Sequence, residues 1–161
     1  LPALAIGMEP TDKTLLKNKP RNPKEGILTK EFSLRLVFYG LLIAIVTMSS
    51  YYIGLTTDAK TASTMAFATL TLARLFHGFT CRSDRSIVKI GLMSNKWSLA
   101  AFGAGVVLLA VVLLVPLMHG LFVIAPLGPA QLGMIAGLAF LPTLAIQLVK
   151  MVKEAVFHNT K

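Results

Sequence analysis

Charge is scarce in this chain, and acid is scarcer than base. Only 14% of the residues are charged and seven are acidic, whereas about 25% of an average soluble domain is charged. The acidic residues are Glu9, Asp12, Glu25, Glu31, Asp58, Asp84 and Glu154, and none falls inside a long apolar run. A dehydrated divalent cation needs several oxygen ligands, carboxylates among them, so the apolar runs alone cannot enclose one. Cysteine is nearly absent. Cys81 stands alone, which excludes an internal disulfide and any paired-thiolate metal site. It reads as a small apolar residue at a helix end. Phosphate-cradling loops, nucleophile triads, metal-ligand clusters, repeats and low-complexity tracts are all missing.

What remains is hydrophobic. Of 161 residues, 55% are hydrophobic, and the mean hydropathy is +0.70. A spanning helix needs about 20 mostly apolar residues, and residues 36–55, 62–81, 97–118 and 130–149 qualify. They leave no room for a soluble enzymatic domain. The expected fold is therefore an all-α membrane protein. Residues 1–7 read as the end of a truncated transmembrane helix, which makes the chain a C-terminal piece of a larger protein. Residues 8–35 form a cytoplasmic loop. Residues 36–161 form a four-helix bundle with a cytoplasmic tail.

The net charge of +9 follows the membrane rather than nucleic acid. Seven basic residues lie between Lys13 and Arg35, four between Arg82 and Lys96, and three from Lys150 onward. Between the first two runs Lys60 is offset by Asp58, and residues 119–129 hold no Lys or Arg. By the positive-inside rule the N-terminal loop, the middle loop and the tail are cytoplasmic. A basic face beside anionic lipid accounts for the charge. Residues 8–30 carry Pro10, Pro20, Pro23 and Gly26, which prevent a long helix. A loop of that length is more often functional or partner-bound than passive.

The runs differ in character. Gly40 with Ala44, and Gly133 with Gly137, are small pairs four apart that permit close helix approach. Tyr51 and Tyr52 sit near the outer interface, and Trp97 anchors the inner one. The third run is apolar on every side, and Pro116 kinks or ends it. Pro142 should bend the fourth. The second run alone concentrates polar groups: Ser63, Thr64, Thr69, Thr71, Arg74 and His77. Helical periodicity puts Phe67, Thr71, Arg74 and His77 along one side. A charge at bilayer depth costs about 2.5–3.5 kcal/mol on insertion scales and marks a functional candidate.

Leu1-Pro-Ala-Leu-Ala-Ile-Gly, followed by Lys19-Pro-Arg-Asn-Pro-Lys-Glu-Gly-Ile-Leu28, resembles the P-type cation-transporting ATPases of the calcium-pump group. In that family Leu-Pro-Ala directly follows the Asp-Gly of the sixth transmembrane helix, and the proline-rich stretch is the loop to the seventh. Thr64-Met-Ala looks like the eighth helix. The resemblance spans the whole chain, as the end of helix six through helix ten, and the short connector at residues 56–60 looks bacterial. It implies a plasma-membrane, multi-pass pump that exports calcium at the expense of ATP. ATP, Mg and the transported Ca would engage the parent, whose remaining transmembrane helices and cytoplasmic domains would be this segment's partners along with the bilayer. The family's phosphorylated aspartate and the ion ligands of helices four to six all precede Leu1, so no catalytic or metal-ligating residue carries over.

The same alignment puts Arg74 where the two-site animal pump has an ion-binding carboxylate. A guanidinium has no acceptor. Arg74 is therefore expected as a tethered cation on the wall of the ion region, with Thr71 and His77 as secondary residues. Lys17, Lys19 and Arg21 are expected to couple the loop to the phosphorylation domain. An independent four-helix channel or accessory subunit, or a P-type pump for another cation, remains the alternative.

The topology is open to a direct test. In a background lacking Cys81, Lys89→Cys should react with a membrane-impermeant thiol reagent from the cytoplasmic side. Labelling from outside only would overturn the orientation.

Overall fold

The computed structural model describes Gly7 and residues 28–81 and 95–158, with side chains up to residue 152. The described residues are all-helical. The elements are α1 (Lys30–Leu55), α2 (Ala59–Thr80), α3 (Lys96–Leu114), α4 (Pro116–Phe122) and α5 (Pro129–His158).

Local chemistry fixes the helix boundaries. Thr29 caps α1, its Oγ1 accepting from the Phe32 amide at 3.2 Å. Glu31 in the first turn pairs with Arg35 at 3.0 Å, one helical turn later on the same face. The helix thus starts at Lys30, and residues 30–35, expected in the loop, are its first turns. Asp58 caps α2 by accepting from the Thr61 amide and hydroxyl, both at 2.8 Å. These bonds hold its carboxyl below the ordinary carboxylate range. The cap's contribution is therefore present above that range and is lost as pH falls through the lowered value. Asn95 caps α3 through the Trp97 and Ser98 amides at 2.9 and 3.1 Å.

The third apolar run, expected to be one span over residues 97–118, is broken. α3 stops at Leu114 and α4 begins at Pro116. Proline disfavours helical backbone in the residue before it, and Val115 is extended at φ −86, ψ 116. Proline then opens α4 at a position where its missing N–H costs nothing. His119 folds back so that Nε2 donates to the Leu113 carbonyl at 2.9 Å, satisfying a carbonyl that the helix end leaves without a partner. α4 ends at Val123, whose φ of 53 is left-handed, a strained state for a β-branched residue.

Among the described residues, three helical segments are long and apolar enough to cross a membrane: Lys30–Leu55, Lys96–Leu114 and Pro129–Val152. α2, expected as a fourth span, has 22 residues, so it is about 33 Å long. Its polar side chains keep it out of that apolar class. They also explain its position. α2 packs against α1, α3 and α5, and nine of its residues are buried, compared with two in α1 and three in α3. Thr69 Oγ1 donates to Ser50 Oγ of α1 at 2.7 Å, with both residues fully buried. Thr64 Oγ1 donates to the Lys60 carbonyl at 2.8 Å and accepts from the Ala125 amide at 3.0 Å. Around these bonds Met65 and Ala68 meet Leu109, Leu113, Ile124 and Ile135. Further along, Phe76 and Phe79 of α2 pack on Phe102 of α3 at 5.3 and 5.1 Å between ring centroids, and Phe76 meets Phe140 of α5 at 5.3 Å.

The two small-residue pairs do not make the close approaches. Gly40, Ala44, Gly133 and Gly137 are all exposed, and a methyl group on any of the three glycines would meet nothing within 4 Å. Instead Gly54 lies against α2, where a methyl group would sit 2.5 Å from the Ala62 Cα. Gly105 faces Leu75, whose Cδ2 would be 2.5 Å from an added methyl. Spacing shows that two backbones could approach, but not which face turns inward.

Gly54→Ala should therefore force α1 and α2 apart and destabilise the bundle by about 1–3 kcal/mol, the usual cost of overpacking. Gly40→Ala should leave stability unchanged or raise it, because alanine is the better helix former. Thermal unfolding in detergent, followed by size-exclusion fluorescence, would distinguish the two.

Candidate functional site

The candidate site lies on α2. Ser63, Phe67, Leu70 and Arg74 recur at helical spacing and form one exposed stripe, opposite the buried Met65, Ala68 and Thr69. Arg74 is on the centre line of this stripe, and it has no hydrogen-bond or ion-pair partner among the described residues. Thr71 and His77 flank it, one at each edge, and both are half-buried. The expected single polar side thus divides in two. Arg74 points away from the bundle, while His77 turns toward α1.

His77 anchors a second group of residues at the end of α2. Its ring meets Tyr39 of α1 edge-on, with centroids 5.5 Å apart. The Thr80 hydroxyl donates to the His77 carbonyl at 2.6 Å. His77 Nδ1–H must then be the donor in its 2.8 Å contact with Thr80 Oγ1, because the hydroxyl has only one proton. That leaves Nε2 to accept from the Cys81 thiol at 3.2 Å. The Thr80 carbonyl in turn accepts from Lys150 Nζ of α5 at 2.6 Å. Cys81 is thus more than a small apolar helix end, since it closes a chain of polar contacts running from α2 to α5.

Lys150 is the residue that sequence reasoning missed. It reads as the first charge of a helix emerging into water, yet it is 8% exposed. Only the tertiary arrangement brings it over the end of α2. Arg35 and Tyr39 approach from α1, and these side chains, with His77, Thr80 and Cys81, line a cavity of about 380 Å³. Nothing in the local pattern links residues 35, 77 and 150. They meet because three helices converge at one end of the bundle.

Lys17, Lys19 and Arg21 lie outside the described residues, as does most of the loop that holds them. Among the described residues, no three His, Cys, Asp or Glu side chains come together as a metal-binding group.

Comparison with known proteins shows the family. The family model described as the cation transporting ATPase C-terminus matches residues 1–152. The chain is 32% identical over 146 residues to the calcium-transporting ATPase of Bacillus subtilis (strain 168), covering 89% of this chain and 16% of that protein. It is 33% identical over 155 residues to calcium-transporting ATPase 1 of Lactococcus lactis subsp. lactis (strain IL1403), covering 95% and 18%. Human calcium-transporting ATPase type 2C member 1 matches at 27% over 157 residues, covering 96% and 17%. The chain thus spans less than a fifth of each of these relatives. The matches favour the pump reading over an independent channel or accessory subunit. With three membrane-length apolar helices and a family match that runs from the first residue through most of α5, this multi-pass membrane chain belongs to the cation-transporting ATPase C-terminal family.

Proposed function

We propose that the chain is the C-terminal membrane part of an ATP-driven calcium-exporting pump of the plasma membrane, with α1, α2, α3 and α5 as four spanning helices. α2 is long enough to span, and its polar groups are directed mainly into protein, which offsets its low apolarity. Phosphorylation and nucleotide binding would reside in the rest of the pump. This part would brace the ion-binding helices and supply one wall of the ion region.

The observation that carries the reading is the placement of Arg74. A guanidinium six residues from the end of a membrane-length helix, turned away from its own bundle, is costly if it faces lipid. Carboxylates on neighbouring helices of the pump would neutralise it. Arg74 would then stand as a fixed cation where a second transported ion would otherwise sit, with Thr71 and His77 bordering that surface.

Arg74→Ala in the full pump should impair calcium transport far more than a comparable change in α3. Removing one partner of a buried pair costs about 3–5 kcal/mol, because the other charge is left uncompensated. Arg74→Lys should be partly tolerated, since it keeps the charge. Radiolabelled calcium uptake measured against ATP consumed in the same vesicles should give one ion per ATP. A ratio of two, full activity in Arg74→Ala, or uptake of another cation in place of calcium would each refute the corresponding part of the proposal.

The basic loop gives a separate test. Its prolines and mixed charges suit a defined docking surface for the phosphorylation domain. Replacing Lys17, Lys19 and Arg21 with Glu should lower ATP turnover while leaving membrane insertion intact. Unchanged turnover would make the loop a passive connector.

A further inference from the structure

Residues 97–149 contain no Asp, Glu, Lys or Arg, and the connector between α3 and α5 shares in that absence. Over residues 115–130 the one polar side chain is His119, and its ring is turned back onto the Leu113 carbonyl. The connector between α1 and α2 is built differently, from Thr56, Thr57, Asp58 and Lys60. Both connectors lie at one end of the bundle, because the Ala125 amide donates to Thr64 Oγ1 near the start of α2. One is made for water and the other is not.

An apolar stretch of this kind belongs either in a protein core or in a membrane. α4 is not core: none of its residues is buried, and Leu117 and Leu121, one turn apart, are 74% and 72% exposed. Residues 115–130 are also too few to cross a bilayer, and runs of that size are found at the membrane interface. Val123 points the same way. It ends α4 with a left-handed φ of 53, a place where glycine is usual and a β-branched residue is strained. Its side chain is 70% exposed, so packing within the bundle returns little for that strain. Contact with hydrocarbon would offset it.

A segment can enter lipid only if its backbone donors find partners within the protein. Along residues 123–129 most of them do. The Val123 and Ile124 amides reach the His119 carbonyl, Ala125 reaches Thr64, and Gly128 donates to Gln131 Oε1 at 2.8 Å. Pro126 and Pro129 have no N–H to satisfy. The apolar surface also continues from a spanning helix. α3 is long and apolar enough to cross and exposes Val107, Leu108, Val111 and Leu114. Leu117 and Leu121 follow directly beyond the break at Val115. Neither helix offers a charge to a protein partner there, in contrast to the Arg74 stripe of α2. We propose that α4 lies in the bilayer interface, with Leu117, Leu121, Phe122 and Val123 set about 5–10 Å into the boundary between headgroups and acyl chains. Lipid hydrocarbon of the nearer leaflet is then the partner of this connector.

Spin labelling of the full chain in phosphatidylcholine vesicles tests this directly. In a background lacking Cys81, Leu117→Cys, Leu121→Cys, Leu108→Cys and Thr57→Cys would each carry a nitroxide. Collisions with oxygen, which concentrates in hydrocarbon, are then compared with collisions with a water-soluble nickel chelate. The labels at Leu117 and Leu121 should favour oxygen, as the label at Leu108 on the exposed face of α3 should. The label at Thr57, on the polar connector at the same end, should favour the chelate. All four side chains are exposed, so the substitutions leave the bundle's packing intact. Preference for the chelate at Leu117 or Leu121 would place α4 in water and overturn the proposal. Protection from both reagents would show that protein covers α4, a second copy or another partner, and would overturn the lipid assignment. The readout is collision rate and does not depend on transport.

Discussion

Hydrocarbon offers no hydrogen-bond partners, and the arrangement of this bundle follows from that single constraint. α2 has too many hydroxyls to face lipid all round, so the other helices close over it. Thr69 finds Ser50, Thr64 finds the Ala125 amide, and the Thr80 carbonyl finds Lys150. Each bond ties α2 to a different part of the chain: α1, the segment before α5, and α5 itself. The apolar helices α1 and α3 have no such need and leave much of their surface outward. The least hydrophobic helix is thus the most enclosed, the reverse of the order expected in water.

Packing then completes what the polar contacts begin. Gly54 lets the backbones of α1 and α2 approach at the turn between them. The aliphatic cluster around Met65 and the phenylalanine cluster around Phe76 fill the two halves of the interior. One residue of α2 does not conform. Arg74 stands on the outward stripe without a partner among the described residues. Lys150 is the counterpart, a charge drawn inward to the edge of a cavity. The two cations belong to different surfaces, and the structure gives them separate surroundings.

Much of this was legible in the sequence. Apolar runs of spanning length, the alternation of basic and neutral connectors, and the prolines determine an all-helical membrane chain and its approximate boundaries, because transfer into a bilayer depends on composition over about 20 residues. The break at Pro116 and the distinct character of α2 were visible for the same reason: both are properties of local covalent chemistry. The start of α1 was less so, since Thr29, Glu31 and Arg35 extend the helix into a polar stretch that hydropathy assigns to a loop.

Only the tertiary structure decided which faces meet. The pairs Gly40 with Ala44 and Gly133 with Gly137 have the right spacing for close packing and face outward, while the isolated Gly54 and Gly105 make the approach. Thr71, Arg74 and His77 fall near one side by periodicity, yet His77 packs edge-on against Tyr39 of α1 while Arg74 stands exposed. Lys150 reads as a solvated helix end and is buried over Thr80, 70 positions earlier. Helical periodicity fixes the angle of one side chain relative to another on the same helix. It leaves open how the whole helix is rotated against its neighbours. That rotation is set by the sum of contacts among all the helices, which no single stretch of sequence contains.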